Sequence, residues 1–377
     1  MGELANLARA YRTWRGLGQD VALAQVTGAR GSVYRKTGTK MLLTPSGDMQ
    51  GTVSGGCLEP ELVEVARTVL ESGEPKTETY DLAEDTMWGL GIGCAGTVEV
   101  HVAPVSDALC DAWEATDTRL ERWAVVEALD GRGRLIVEDG PQGAVRAEGE
   151  FDASPDVRAD ALARVRARLA SDPPQGGRET LGNGREVFVD VLVPPPLLVV
   201  LGAGHDAVPV CQLASMAGFR LRVVDPRPAY ATPRRLSGAE ILSNDLAAAY
   251  AGREAFDVDH VFEQGSYAVV LHHHLARDRA ALAFLSQSKA RYAGILGPRS
   301  RTLGMLQEIR AEGRLGPAFG EDGEGGILAS PIGLDLGAEG PEQIAVAIVA
   351  EIVALRSGRA GGRLAGWSGP IHATRGR

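Results

Sequence analysis

The spacing of apolar and polar residues predicts alternating helices and strands along the first half of the chain. Apolar positions recur at helical spacing over residues 3–17 and over the stretch that follows Cys57 and stops at Gly73, and a charged helix fits 156–170. Strands are predicted at 21–28, 40–44, 76–81, 97–103 and 187–193, with a hairpin over 123–138. No internal repeat is visible, and the mixture predicts an α+β domain.

The second half follows a more regular pattern of strand and helix. Short apolar runs predict strands at 197–201, 220–225, near 240, at 267–272 and at 292–296, with helices between them and a last apolar helix over 341–356. This alternation is typical of an α/β fold with a mostly parallel sheet and right-handed crossovers.

Three consecutive prolines, Pro194 to Pro196, separate the two patterns. They cannot enter a helix interior and they hold the chain extended, which indicates a linker. We therefore expect an N-terminal α+β domain over 1–195, a Rossmann-like domain with a parallel sheet over 196–358, and a mobile tail over 359–377.

The turn after the first strand of the second domain carries a dinucleotide fingerprint. The sequence Gly202-Ala203-Gly204-His205-Asp206-Ala207 follows an apolar run and opens a predicted helix. In this pattern Gly202 permits a tight turn, Gly204 lets the backbone approach a pyrophosphate, and Ala207 lets the helix pack on the strand. The helix N-terminus would attract the phosphates, and His205 is a further candidate contact for the cofactor.

An acidic residue closes the next predicted strand, as the fingerprint requires. Asp225 is the expected partner of an adenosine ribose and favours NAD, while Arg227 leaves a 2′-phosphate, and so NADP, open.

Composition excludes some classes of function. The net charge of −10 argues against nucleic acid as a partner, because phosphate binding needs a basic face. The chain has no apolar run of the length, about 18 residues, that a membrane span needs, and no signal-peptide core near its N-terminus. Four cysteines in 377 residues do not make a disulfide framework, so we expect a cytoplasmic protein with reduced thiols.

Two of the cysteines lie in glycine-flanked segments where chemistry is possible. Cys57 follows Ser54-Gly55-Gly56 at a predicted helix N-terminus, a placement that makes a thiol reactive, although the charge of Glu59 opposes this. Cys94 follows Gly93 in the glycine-rich loop 88–96. The alternative for Cys57 is a buried residue at a helix start. The remaining pair, Cys110 and Cys211, is expected to serve packing alone.

Three histidines, His272 to His274, follow the apolar strand that begins at 267. The carboxyl ends of parallel strands bind ligands in this class of fold, so a histidine here, with His273 as the candidate, could bind phosphate, move a proton or ligate a metal. The alternative is one residue capping the strand and two in solvent. Arg299 and Arg301, after the next strand, could pair with an anion or be plain surface charges.

Several segments, taken jointly and in order, resemble a known family over nearly the whole chain. They are GSVYRKTGTKM, GTVSGGCLEPEL, WGLGIGCAGTVEV, VLGAGHDAVP, VVDPR, HHLARDRAAL and YAGILGPRSR. The chain resembles the XdhC/CoxI family, the accessory proteins of xanthine dehydrogenase and related molybdenum hydroxylases. It departs from the usual family pattern at Ala95 and at His272.

The resemblance implies an accessory or maturation factor more than a stand-alone enzyme. Such a chaperone would bind the molybdenum cofactor in its pterin or dinucleotide form, protect it, and assist its sulfuration and insertion. Carried over to this chain, Cys57 and Cys94 become the candidates for catalysis and for contact with the molybdenum cofactor. The expected partners are an apo molybdenum hydroxylase and a cysteine desulfurase. We also expect a homodimer, with helix 341–356 either buried in its own domain or at the dimer seam.

Two other functions stay open on the residues alone. The first is an NAD(P)-dependent oxidoreductase that uses the histidine cluster. The second is a non-catalytic scaffold in which the Rossmann fold is a relict.

Overall fold

The chain folds into two compact units. The computed structural model describes residues 2–31, 33, 35–82, 96–140, 143–149, 151, 154–320 and 326–365. These divide into residues 2–194 and residues 195–365. The predicted combination of an N-terminal α+β fold and a C-terminal Rossmann-like parallel sheet is confirmed. Gly93, Cys94 and the part of the expected tail beyond Ala365 lie outside the described residues.

The first unit contains the same topology twice, which the residues alone did not reveal. Each half runs helix, three strands, helix, two strands. The first half comprises α1 (Glu3–Gly16), β1 (Ala22–Gly31), β2 (Lys40–Leu43), β3 (Met49–Gly51), α2 (Glu59–Ser72), β4 (Lys76–Asp81) and β5 (Gly96–Pro104). The second comprises α3 (Asp107–Thr118), β6 (Trp123–Ala128), β7 (Arg134–Glu138), β8 (Val145–Glu148), α4 (Pro155–Ala170), β9 (Gly177–Thr180) and β10 (Glu186–Leu192).

The strand orders of the two sheets match as well. Among the described residues each half forms a five-stranded antiparallel sheet, ordered β3-β2-β1-β5-β4 in the first and β8-β7-β6-β10-β9 in the second. The first strand of each half is therefore central, and the strand after the second helix lies at an edge. The expectation of no internal repeat is wrong at the level of topology.

Each sheet of the first unit buries both faces. One face of the first sheet packs on α2 and one face of the second packs on α4. The opposite faces share a third apolar cluster with α1 and α3, centred on the fully buried Tyr11 and Trp113. Ion pairs also cross between the sheets, and one of them, between Lys40 and Asp190, is buried at both ends.

The second unit is a parallel sheet with helices on both faces. Its elements are β11 (Leu197–Leu201), α5 (Ala207–Met216), β12 (Arg220–Val224), β13 (Ala239–Leu242), α6 (Leu246–Tyr250), α7 (Val258–Val261), β14 (Tyr267–Val270), α8 (Leu275–Ser286), β15 (Tyr292–Ile295), α9 (Arg299–Ala311), β16 (Leu328–Ala329) and α10 (Gly340–Arg356). Within the described ranges the strand order is β13-β12-β11-β14-β15-β16, every neighbouring pair parallel. Strands covered on both faces need continuous apolar runs, and β11 and β14 are buried at every position.

The order of the strands defines where a ligand would bind. Chain order runs outward in one direction from β11 to β13 and in the other from β14 to β16, so it reverses between β11 and β14. In open α/β sheets the crevice at the carboxyl ends of such a pair is the usual binding place. Helices α5 and α10 pack on one face of the sheet, and α6, α8 and α9 pack on the other.

Candidate functional site

Three connecting segments leave the first sheet at the same end. Both β2 and β5 run antiparallel to β1, β3 runs antiparallel to β2, and β4 runs antiparallel to β5. Therefore β1, β3 and β4 share one direction, and the chain leaves them at Gly31, Gly51 and Asp81 on one side of the sheet. Residues just past these exits pack on one apolar cluster, namely Val33, Cys57 and Leu82.

The segment with the Ser-Gly-Gly-Cys motif folds around a buried carboxylate. Oε1 of Glu59 accepts from the Thr52 hydroxyl at 2.9 Å and from the Ser54 N–H at 3.2 Å. Oε2 accepts from the Leu58 N–H at 3.1 Å and from the Ser54 hydroxyl. The Ser54 hydroxyl in turn accepts from the N–H groups of Gly56 and Leu58. The loop is therefore rigidly organised from within.

The same hydrogen bonds keep Glu59 ionised. Burial alone would raise the pKa of this carboxyl, but the bonds from Ser54 and Thr52 outweigh it and hold the pKa below its ordinary value. Sequence reasoning treated Glu59 only as a charge that opposes a thiolate. Its position in the first turn of α2, where the helix dipole favours an acidic side chain, was the local signal of a structural role.

Cys57 presents a half-buried thiol on this organised loop. It is a free cysteine of intermediate exposure that packs on the apolar cluster of the first sheet. The two glycines before it face open space, because a Cβ added at Gly55 or Gly56 would meet no atom within 4 Å. Gly56 has a φ of +104°, so a glycine is needed there for the backbone path. Cys57 is thus neither fully buried nor covered by its own loop.

The other two described cysteines are packing residues, as predicted. Cys110 and Cys211 are buried, with 0% and 3% of their surface exposed. Burial raises the pKa of both thiols to about 12, so both stay protonated and unreactive at neutral pH.

In the second unit the first fingerprint glycine is essential for the fold. Gly202 has a φ of +109°, and a Cβ there would lie 2.8 Å from the Leu271 carbonyl and the His272 nitrogen. Gly204 is different, because its added Cβ would meet only the Leu271 oxygen, at 3.9 Å. Ala207 is fully buried at the start of α5, in agreement with helix–strand packing.

Asp225, the expected ribose partner, is fully engaged by the protein. It is 0% exposed, and its Oδ2 accepts from the Ala203 N–H at 2.7 Å and from the Arg227 guanidinium at 2.6 Å. Its Oδ1 accepts from the N–H and the Nε of Arg227, both at 2.9 Å. A carboxylate has about four acceptor positions, and all four are taken. In this arrangement Asp225 joins the glycine loop to the end of β12, and it has no acceptor position left for a ribose hydroxyl.

The charge of Asp225 is strongly stabilised. Burial alone would raise the pKa of its carboxyl, but the hydrogen bonds from Arg227 and the Ala203 N–H prevail and lower it to about 2. The sequence suggested Arg227 as a contact for a 2′-phosphate. In the structure its guanidinium donates to Asp225 instead.

A second arginine closes the glycine loop from outside, and sequence reasoning missed it. Arg235 donates to the carbonyl oxygens of Ala203 at 3.0 Å and Gly204 at 3.3 Å. Its guanidinium also lies 5.1 Å from the ring centre of Tyr230, and His205 meets the same ring edge-on at 6.2 Å. Arg235 is about 30 residues from the loop it holds, so no local pattern pointed to it.

The three histidines have three different surroundings. His272 is buried, with its Nδ1 3.2 Å from Asp278 Oδ1. His273, the predicted catalytic candidate, is exposed, has a φ of +53°, and places Nε2 2.7 Å from Asp206 Oδ2. His274 caps α8, its Nδ1 accepting from the Arg277 N–H. They do not form one catalytic group.

Comparisons with known proteins place the chain in a family. The description "XdhC and CoxI family" matches residues 14–81, and "XdhC Rossmann domain" matches residues 198–352. A Bacillus subtilis (strain 168) protein, named as a probable subunit of xanthine dehydrogenase, is 31% identical over 343 residues, covering 90% of this chain and 94% of that protein. This chain belongs to the XdhC and CoxI family. The predicted resemblance is confirmed.

Two further proteins are similar to this chain. The crystal structure of a xanthine dehydrogenase from Bacillus halodurans is 27% identical, with a TM-score of 0.72, and the match covers 97% of this chain and 98% of that one. The uncharacterized protein YqeB of Escherichia coli (strain K12) is 26% identical over 197 residues, 52% of this chain and 34% of that protein.

Two further features of this XdhC family chain limit the possible sites. In the described ranges no group of three His, Cys, Asp or Glu side chains could hold a metal ion. Within those ranges, too, every helix lacks the length or the apolar character needed to cross a bilayer.

Proposed function

We propose that this chain is a maturation factor for a molybdenum hydroxylase of the xanthine dehydrogenase type. Its cargo would be the molybdenum cofactor, as the pterin or its dinucleotide form, which it protects and helps to deliver in sulfurated form. Cys57 and Cys94 would be the residues that contact the cargo. The names of its relatives support the partner enzyme, and the loops of the first unit support the site.

The observation that carries the proposal is the difference between the two repeats of the first unit. Before α4 the second repeat has a conventional cap, in which the Ser154 hydroxyl accepts from the Val157 N–H. Before α2 the first repeat has the Ser-Gly-Gly-Cys loop organised by Glu59. Because α4 begins from a serine cap, starting a helix at this point of the repeat does not require the thiol of Cys57.

The second difference lies between the last two strands of each repeat. Residues 181–185 join β9 to β10, whereas residues 82–95, which include Cys94, join β4 to β5. The segments after β3 and β4 begin at the same end of the first sheet, because these two strands run in the same direction. Two cysteine-bearing segments that leave the first sheet at one end favour a single binding site.

The described residues fit a sulfur-rich cargo. A soft sulfur ligand such as the Cys57 side chain suits a metal held by a dithiolene, and the open faces of Gly55 and Gly56 leave room beside it. The loop is held by Glu59 before any cargo arrives, so binding would not need to order it. The cargo supplies the redox and sulfur chemistry, and the chain supplies contact and shelter from solvent.

The oxidoreductase alternative has weaker support. Its expected ribose acceptor, Asp225, has no free acceptor position, and its expected catalytic His273 is exposed and paired with Asp206. An apo molybdenum hydroxylase, a cysteine desulfurase and a second copy of this chain remain the expected partners. The three described cysteines are free thiols, and the cytoplasmic location expected from the sequence is part of the proposal.

The test is activation of the partner hydroxylase by variants of the full chain. Cys57→Ser and Cys94→Ser should each abolish most activation without loss of folded protein. Cys110→Ala is the matched control, because Cys110 is a buried thiol of the same unit that packs in a different apolar cluster from Cys57. Full activation by both serine variants would refute the assignment of the cysteines.

A further inference from the structure

The Rossmann unit contains a buried histidine that the proposed function does not use. His272 follows β14, and Leu271 still pairs with β11 through its N–H to the Leu201 oxygen at 2.7 Å. Its backbone nitrogen would lie 2.8 Å from a Cβ at Gly202. His272 therefore stands beside the first glycine of the fingerprint, where the strand order reverses.

A buried carboxylate and an arginine orient the imidazole. Asp278, on α8, is almost fully buried, and its Oδ1 lies 3.2 Å from His272 Nδ1. Its Oδ2 accepts from the guanidinium of Arg301, on α9. Burial alone would raise the pKa of Asp278, but the bonds from His272 and Arg301 prevail and lower it. An ionised carboxylate can only accept, so Nδ1 of His272 carries the proton.

The other ring nitrogen has no hydrogen-bond partner among the described residues. In the neutral imidazole with a proton on Nδ1, Nε2 presents a lone pair. Nε2 of His272 is buried and, among the described residues, it has no hydrogen-bond partner, while the side chain is only 1% exposed. Unpaired buried acceptors are uncommon, and an absent ligand or water is a usual reason for one.

The chemistry of Nε2 restricts what it could bind. An ionised phosphate offers no proton to accept, and the described residues give no metal-binding group. A ribose hydroxyl is a donor, and Asp225, the usual ribose acceptor, is saturated by Ala203 and Arg227. We propose that His272 is the nucleotide-binding acceptor of the Rossmann unit, taking a hydrogen bond at Nε2 from a ribose hydroxyl at the crevice between β11 and β14. Asp278 and Arg301 are the positioning residues that fix its tautomer.

This inference goes beyond the proposed function and does not depend on the cysteines. A ribose attached to pyrophosphate occurs both in NAD and in a dinucleotide form of the cargo. Binding of NAD+ alone, or of CDP (the nucleotide part of a cytosine dinucleotide form of the cargo) alone, would distinguish these two sources. A failure here would leave the cysteine assignment intact, and the reverse also holds.

The experiment is calorimetry of the full chain with NAD+ and with CDP. His272→Phe keeps a ring and removes the acceptor, and it should weaken binding of the preferred nucleotide about tenfold, as expected for one hydrogen bond. The 2′,3′-dideoxy form of the same nucleotide should bind the wild type as weakly as the intact nucleotide binds His272→Phe. It should bind the wild type and His272→Phe equally. His260→Gln, an exposed histidine of α7, is the control and should bind normally.

A second measurement protects the test from a variant that fails to fold. In the 15N spectrum of the wild-type imidazoles, the resonance of His272 Nε2 should be that of an unprotonated nitrogen and should shift when the nucleotide is added. The proposal is overturned if neither nucleotide binds, if His272→Phe binds as tightly as the wild type, or if the Nε2 resonance does not move on binding.

Discussion

The role assigned to Asp225 leads to a quantitative prediction about stability. Asp225→Asn keeps the size of the side chain but removes the charge that holds Arg227 and the Ala203 N–H. The variant amide would also direct two donors at groups that themselves donate. We expect the Rossmann unit to lose stability at neutral pH.

The magnitude follows from the pKa of the carboxyl. Its ordinary value of 3.8 falls to about 2 in the folded chain. At about 1.36 kcal/mol per pH unit, this corresponds to ~2 kcal/mol of unfolding free energy from the ionised carboxyl. Because the folded pKa is the lower one, this contribution is complete above pH 4 and disappears as the pH falls towards 2. The deficit of Asp225→Asn should shrink over the same range.

Hydrogen exchange is the suitable assay because it reports on each unit separately. Peptides from residues 197–227 should exchange faster in Asp225→Asn at pH 7, whereas peptides from the first unit should not change. The melting temperature of Asp225→Asn, measured by circular dichroism, should also be lower than that of the wild type. If Asp225→Asn kept wild-type protection in 197–227 and lost only nucleotide binding, the carboxylate would be a ligand group and the structural role would be refuted.

Three further predictions concern the same loops and the buried ion pair. Gly202→Ala should lower the melting temperature sharply, since its Cβ meets backbone at 2.8 Å, whereas Gly204→Ala should change it little; equal effects would contradict the geometry. Glu59→Gln should destabilise the first unit in urea unfolding followed by tryptophan fluorescence, and because the folded pKa of Glu59 is lowered, the difference should diminish as the pH falls below about 4.5. Asp190→Asn should cost about 3–5 kcal/mol of unfolding free energy by leaving the buried Lys40 ammonium uncompensated, and adding Lys40→Met should recover part of the loss; an additive double variant would contradict direct coupling.

The sequence predicted best those elements whose pattern is local. The predicted helix 341–356 corresponds to α10 (Gly340–Arg356), and the fingerprint turn corresponds to the connection between β11 and α5. Continuous apolar runs identified the parallel strands because both faces of that sheet are covered. The helix Asp107–Thr118 was not predicted as an element, although Ser106 is a recognisable cap.

What the sequence did not predict depends on contacts between distant residues. The duplication within the first unit is a match of strand order, which residue patterns do not display. Asp225 was assigned to a ligand because its position fits the fingerprint, but its four bonds depend on the loop at Ala203 and on Arg227. The hydrogen bonds around His272 involve Asp278 and Arg301, which lie on two different helices.

The most direct test of the account is the cofactor content of the purified chain. The wild type, Cys57→Ser and the control Cys110→Ala would be expressed in a host that makes molybdenum cofactor, and bound pterin and molybdenum would be measured per chain. We predict pterin and molybdenum near one per chain in the wild type and in Cys110→Ala, and a loss of both in Cys57→Ser. Absence of pterin from the wild type, or equal amounts in all three proteins, would contradict the proposed cargo site.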